Sequence, residues 1–254
     1  MAKIVAFSNQ KGGVGKTTAC VNLAAYLAEK GKRVLIVDLD SQANATSSLG
    51  YFDKKLQNSI FSMLFEGAPL KSCIRNTDIK GLSLLPSSSD LAGAEIELGR
   101  IERNREYVLK ARLDAGRDDY DYIFIDCAPS LGLLAVNALT AANGIVIPLV
   151  CEYFALEGLA QMLNTVRLAK KHLNPSLEIY GVVLTAYDGR NRLAREVKAE
   201  IDKLFGDKVF KTAIPKNVRL AEAPSYGKPI VLYDKKCAGA VAYDALAEEF
   251  IQKI

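Results

Sequence analysis

Seven short runs rich in Val, Ile, Leu and Phe punctuate the chain, at 3–9, 33–39, 81–86, 120–126, 144–149, 178–186 and 208–214. Longer stretches with helical spacing of apolar residues separate them. This alternation predicts βαβ units and a mostly parallel sheet. Val34-Leu35-Ile36-Val37 and Tyr122-Ile123-Phe124-Ile125 are apolar at every position, so both faces of these strands must be covered. The pattern predicts an α/β fold, one doubly wound, mostly parallel sheet with helices on both faces, forming a single domain over 1–254. No linker, repeat or low-complexity tract divides it, and the least patterned region is 50–90.

Two segments invite a membrane reading. Residues 127–151 carry no charge, but Asn137, Thr140, Asn143, Gly144 and Pro148 divide them into a helix, 131–142, and a strand, 144–149. The last segment sets Tyr243, Leu246, Ala247, Phe250, Ile251 and Ile254 at helical spacing, with Asp244, Glu248 and Glu249 against Lys253 on the polar side. A membrane-surface helix wants a basic polar face, so a helix closing the core is predicted.

Half of the 254 residues are apolar, enough for a sizeable core. The five cysteines are scattered without C-x-x-C spacing, which argues against a disulfide framework or zinc site and for a reducing cytoplasm. The one histidine, His172, leaves no material for a histidine triad or metal cluster. Residues 1–9 are too short an apolar run for a signal peptide.

The chemistry starts at Lys11-Gly12-Gly13-Val14-Gly15-Lys16-Thr17-Thr18, between the first predicted strand and a helix over 17–30. Gln10 stands where the ordinary phosphate-loop pattern has glycine, so this is a variant of it. Glycines let backbone amides approach phosphate oxygens at a helix N-terminus. Lys16 then faces the β- and γ-phosphates, and the Thr17 hydroxyl ligates magnesium. Asp126 ends one strand, in the Walker B position for the metal's shell, and Asp38 and Asp40 end another beside the loop, where one of them can orient the attacking water. These residues point to binding and hydrolysis of MgATP.

With its extra lysine, this loop resembles that of the deviant Walker A ATPases. Three further stretches resemble the short chromosomal ParA/Soj type: Asp38 to Thr46 (DLDSQANAT), Asp126 to Gly132 (DCAPSLG) and Ile214 to Pro229 (IPKNVRLAEAPSYGKP). The chain departs from the family at Ser41, often proline there, and at Ala43, commonly glycine. The resemblance implies that Lys11 crosses an ATP-bound dimer to the partner's phosphates, that Asp40 activates water and, with Thr17 and Asp126, belongs to the metal site, and that Pro215 and Asn217 contact adenine. It also implies a cycle. An ATP-bound homodimer holds double-stranded DNA of the nucleoid without sequence preference, and hydrolysis stimulated by a ParB/Spo0J-type centromere-binding protein releases it. The first strand begins at Lys3, so the N-terminal helix-turn-helix extension of longer ParA proteins is not expected.

Charge fits the DNA step in one region. Residues 180–236 hold twelve Lys/Arg against seven Asp/Glu. Arg190, Arg192, Arg195 and Arg219 are the candidate phosphate contacts, because arginine binds phosphate strongly without reading sequence. Three other classes are weighed. A MinD-like membrane-cycling ATPase would need a basic amphipathic C-terminal helix. An iron–sulfur reductase would need a second cysteine to join Cys127 at a dimer axis. A synthetase would need a small-substrate site that the sequence does not display.

Overall fold

The computed structural model describes residues 1–53 and 56–254; Lys54 and Lys55, in the least patterned region, lie outside them. The strands are β1 (Lys3–Phe7), β2 (Val34–Leu39), β3 (Arg75–Asn76), β4 (Leu82–Leu85), β5 (Tyr122–Cys127), β6 (Gly144–Val150) and β7 (Glu178–Thr185). They form one sheet in the order β3-β4-β2-β5-β1-β6-β7, parallel throughout except for β3 against β4. The helices are α1 (Lys16–Glu29), α2 (Asn44–Ser48), α3 (Ile60–Phe65), α4 (Leu70–Cys73), α5 (Ala94–Arg100), α6 (Val108–Asp114), α7 (Leu133–Ala141), α8 (Ala155–His172), α9 (Arg192–Phe205), α10 (Val218–Glu222), α11 (Ile230–Tyr233) and α12 (Ala238–Lys253).

The strand alternation serves two cores. Ile123, Ile125 and Cys127 of β5 face helices α3 to α9, while Tyr122 and Phe124 face α1 and α10 to α12. Phe124 meets Phe250 of α12 edge-on at 5.6 Å, which closes the second core as the terminal apolar stripe predicts. The acids of α12 turn to the protein: Lys30 bridges Asp244 and Glu248, each at 2.6 Å. No helix of the described residues is long and apolar enough to cross a membrane.

Two elements differ from the prediction. The run 208–214 lies beside β7 but makes only an isolated bridge, Val182 with Val209, with a second just beyond it between Tyr187 and Pro215. The Phe210 and Ile214 amides do bond to β7, but Glu249 of α12 accepts from the backbone of Lys211 (2.7 Å) and Thr212 (3.0 Å), and so takes from the ladder the Thr212 donor that lies in phase between them. The edge strand β3 has no sequence signal, since it consists of Arg75 and Asn76.

After β1 the chain runs to β2 and β4 on one side of the sheet, and after β5 it crosses to β6 and β7 on the other. The carboxyl ends of β1 and β5 therefore border the crevice where the connections part, the position at which doubly wound sheets bind ligands.

Candidate nucleotide site

Residues 8–15 join β1 to α1. Gly13 and Gly15 take φ of 74° and 80°, a region closed to most side chains. Gly15 caps α1 with no side-chain hydrogen bond, so the first-turn amides of this helix keep their donors and positive end for an anion. The loop is anchored on both flanks. Thr185 at the end of β7 donates to the Val14 carbonyl at 2.8 Å, and a Cβ on Gly15 would lie 3.6 Å from the same threonine. Asn9 donates to the Pro148 carbonyl of β6 (2.8 Å) and accepts from the Lys11 amide (3.1 Å).

The two lysines of the loop are treated differently. Lys16 is 7 % exposed and parks its ammonium on the Lys11 carbonyl at 3.1 Å. Burial pushes its pKa down, against the upward pull of Asp126, Cys127 and Asp40. Lys11 stands at the rim, paired with Glu152 at 2.5 Å.

The three carboxylates also separate. Asp126 is fully buried, and neither of its oxygens has a hydrogen-bond partner. Burial drives its pKa well up and the Asp38 charge adds to this; the Thr17 hydroxyl and Lys16 oppose it, Thr17 without reaching hydrogen-bonding geometry. Asp38, its register partner on β2, is equally buried but saturated. It accepts from the Thr46 amide (2.8 Å), the Thr46 hydroxyl (2.6 Å) and the Asp40 amide (3.2 Å), and burial still pushes its pKa to about 6. Asp40 lies in the turn just past β2, accepts from the Gln42 amide at 2.9 Å and lines the open cleft. Of the two, Asp38 is occupied in holding this turn and Asp40 faces the space where water would stand.

Among the described residues no cluster of three His, Cys, Asp or Glu side chains is built to hold a metal. The donors present, the Thr17 hydroxyl, Asp40 and the orphaned Asp126 oxygens, suit magnesium, which keeps waters and takes few protein ligands when phosphates supply the rest. The residues fit that ion.

Two clefts flank the glycine loop. One, about 670 Å³, is walled by Gly12, Lys16, Thr17, Thr18 and Asp40, and the other, about 380 Å³, by Val14, Ala186, Ile214, Pro215, Asn217 and Leu220. Gly13, Gly15 and Thr18 border both. A polar slot for phosphates beside an apolar slot for a base matches a nucleoside triphosphate. Pro215 and Asn217 lie in the second slot; the Asn217 Oδ1 is taken by the Arg219 amide (2.9 Å), so this residue offers a base its Nδ2.

The candidate DNA arginines are all exposed, on two segments that the Tyr187 amide to Ile214 carbonyl bond (2.9 Å) brings together. Three carry their own acid. Arg190 clamps Asp188 with two bonds of 2.9 Å, Arg192 meets Glu196 at 2.7 Å, and Arg219 meets Glu222 at 2.9 Å and Asp234 at 3.5 Å. Arg195 instead donates to the carbonyls of Gly189 (2.8 Å) and Arg190 (2.9 Å). Asn9, Thr46, Glu152 and Thr185 escaped the sequence reading. For Asn9 and Thr185 a signal existed, as polar residues at the carboxyl ends of apolar strand runs.

A family model described as an AAA domain matches residues 2–179. The sporulation initiation inhibitor protein Soj of Bacillus subtilis is 55% identical over 249 residues, covering 98% of each chain. The chromosome partitioning protein ParA of Caulobacter vibrioides is 48% identical over 253 residues, covering 99% of this chain and 94% of that one. Among solved structures, cobyrinic acid a,c-diamide synthase from Mycobacterium smegmatis with bound ADP and magnesium has a TM-score of 0.87 at 37% identity, covering 99% of this chain and 95% of that one. With this similarity running the length of the chain and a phosphate loop at the switch point of the sheet, the protein belongs to the Soj/ParA family of chromosome-partitioning ATPases.

Proposed function

We propose that the chain is a MgATP-driven switch in DNA segregation. ATP binding closes two copies into a sandwich dimer, the dimer holds double-stranded DNA without sequence preference, and hydrolysis, stimulated by a ParB/Spo0J-type partner, releases it. This would place the protein in the cytoplasm, on the nucleoid. The observation that carries the reading is the division between the two loop lysines: Lys16 is buried inside the cleft and Lys11 stands at its rim. One loop's phosphates do not need both. A rim lysine has the reach to neutralise charge on a neighbour across a two-fold axis.

Within one protomer, the amides of residues 13–18 and Lys16 bind the phosphates, and the clefts orient the nucleotide along the loop. Magnesium, when bound at Thr17, Asp40 and Asp126, would neutralise phosphate charge. Asp40 positions the attacking water and accepts its proton, while Pro215 and Asn217 hold the base. Arg190, Arg192 and Arg219 meet DNA phosphates by exchanging their exposed carboxylate partners for them, and Arg195 by leaving the carbonyls of Gly189 and Arg190; such solvent-exposed pairs are weak and readily exchanged. A MinD-like membrane cycle is disfavoured by α12, whose apolar stripe is buried and whose acids bind Lys30 and the 211–212 backbone.

The test is sedimentation and nonspecific DNA binding measured with ADP, with ATP and with a non-hydrolysable analogue. Dimer and DNA affinity should appear together with the triphosphate. If neither depends on nucleotide, the switch is wrong. A synthetase, the competing reading, would turn over ATP in response to a small substrate and ignore DNA.

A further inference from the structure

Lys11 is not idle in the nucleotide-free protomer. Its Nζ lies 2.5 Å from Glu152 Oε2, and among the described residues no other carboxylate pairs with it. Both ends of this pair are mounted on β6. Glu152 starts the turn after the strand, with its amide bonded to the Val150 carbonyl (2.8 Å) and its carbonyl to the Ala155 amide (2.9 Å). Asn9 joins the Lys11 amide to the Pro148 carbonyl of the same strand. The ion pair thus spans two fixed points at the mouth of the phosphate cleft.

We propose that Glu152 is a positioning residue that latches Lys11 onto its own protomer, so that the Lys11–Glu152 pair must open before Lys11 can reach a second copy's phosphates. The proposal rests on the role in trans given to Lys11 above. The neighbouring residues mark this turn as a surface awaiting cover: Tyr153 and Phe154 are 75 % and 62 % exposed, edge to face at 5.0 Å. When a second copy covers the rim, the pair either stays closed and loses its water or exchanges the carboxylate for a phosphate. Desolvation penalises the first course, and the greater charge of a phosphate favours the second. Whatever stability the latch has in the free protomer is subtracted from dimer formation. Both partners are substantially exposed, which makes each latch weak, roughly twofold to fivefold, and because two of them open per dimer the effect on the dimer dissociation constant is roughly fourfold to twenty-five-fold. It sets a threshold that a nucleotide-filled partner overcomes and an empty one does not.

The experiment uses the full chain with Glu152→Gln, which keeps shape and removes charge, and Glu152→Asp, which keeps charge. Dimerisation is followed by sedimentation in a non-hydrolysable ATP analogue. In parallel, the nucleotide-free protein is treated with an acetylating reagent and Lys11 modification is read by peptide mass. Glu152→Gln should speed Lys11 acetylation about twofold to fivefold and tighten the dimer, in which two latches are removed, by roughly fourfold to twenty-five-fold, and Glu152→Asp should recover part of the wild-type behaviour in both. A Glu152→Gln dimer that is unchanged or weaker overturns the latch, as does unchanged Lys11 reactivity. If the wild-type protein forms no dimer with the analogue, the proposed function fails instead, and the acetylation comparison alone decides whether Glu152 holds Lys11.

Discussion

Asp126→Asn should stabilise the nucleotide-free protein while removing its response to magnesium nucleotide. Both oxygens of Asp126 are buried without a hydrogen bond, and Asp38 is its register partner on the next strand. An ionised carboxylate so placed costs several kcal/mol. Protonation limits that cost: taking up a proton at pH 7 against an ordinary value of 3.8 costs about 4 kcal/mol. Asparagine avoids it but leaves a buried amide, worth roughly 1–3 kcal/mol against. A net gain of about 2 kcal/mol corresponds to roughly 4–8 °C in Tm at this size. The pH dependence follows from the sign of the shift. Because the folded pKa is raised, the stabilising contribution is complete below 3.8 and is lost as pH rises through the folded value. Wild type should therefore gain stability on acidification from pH 7.5 to 5, and the variant should gain less, keeping only what Asp38, near 6, supplies. Thermal unfolding in a chelator across that range measures both. Saturating MgATP, at a hundred times Kd, should add about 2.7 kcal/mol to wild type and little to Asp126→Asn. An asparagine variant no more stable than wild type at pH 7.5 would mean that the buried Asp126 carboxyl carries no such cost.

Four further outcomes are expected. Lys16→Ala should weaken ATP binding at least about 30-fold by calorimetry, whereas Lys11→Ala should leave monomer affinity within a few-fold and abolish the ATP-dependent dimer; equal losses would remove the division between the lysines. Asp40→Ala should bind ATP and dimerise while turnover falls by two or more orders of magnitude, consistent with loss of a general base, and undiminished phosphate release would assign the water elsewhere. Ala43, at φ 56° and 1 % exposure, should tolerate glycine within about 1 kcal/mol because relief of the left-handed backbone offsets the lost methyl, whereas Ala45→Gly in α2 should cost about 1–2 kcal/mol; chemical denaturation compares them, and equal costs would count against the strain. Arg190→Glu and Arg219→Glu should abolish DNA binding at moderate salt while sparing the dimer, and milder alanine changes should lower the salt slope by roughly 0.9 per lost phosphate contact; wild-type binding in both would make the strip a solvated face.

What the sequence made legible was what local pattern encodes. Strand runs that are apolar on both faces, a glycine loop between strand and helix, and aspartates at strand ends each sit within a few residues of their own signal. The structure departs where distant residues meet. Glu249 takes the amides of Lys211 and Thr212 and undoes a strand whose local pattern is sound. Asp38 and Asp40 look equivalent in DLD, and only Thr46, eight residues after Asp38, makes one of them a structural anchor. The partners of Arg192 and Arg219 fall at helical spacing and could have been foreseen, but the Asp234 contact to Arg219 and the Glu152 contact to Lys11 depend on chain crossings. The family's preference for glycine where this chain has Ala43 becomes physical once the left-handed backbone there is seen.

The segment 214–227 bears on how nucleotide and DNA communicate. It begins bonded to β7 through the Ile214 amide (2.8 Å), lines the apolar cleft at Pro215 and Asn217, turns Arg219 outward and borders the polar cleft at Pro224 and Ser225. It is clamped at its far end. Gly227, at φ 63°, packs so closely on Gly50 that a Cβ would lie 2.7 Å from the Gly50 Cα, and three residues on, the Ile230 amide is held by Asn22 of α1 at 2.7 Å. Close-packed elements fixed at both ends resist graded displacement. A nucleotide filling the clefts therefore changes the position of Arg219 little, and the proposed switch works by number. One protomer presents one arginine strip, two protomers closed by ATP present two, and doubling the phosphates met doubles the salt slope of binding.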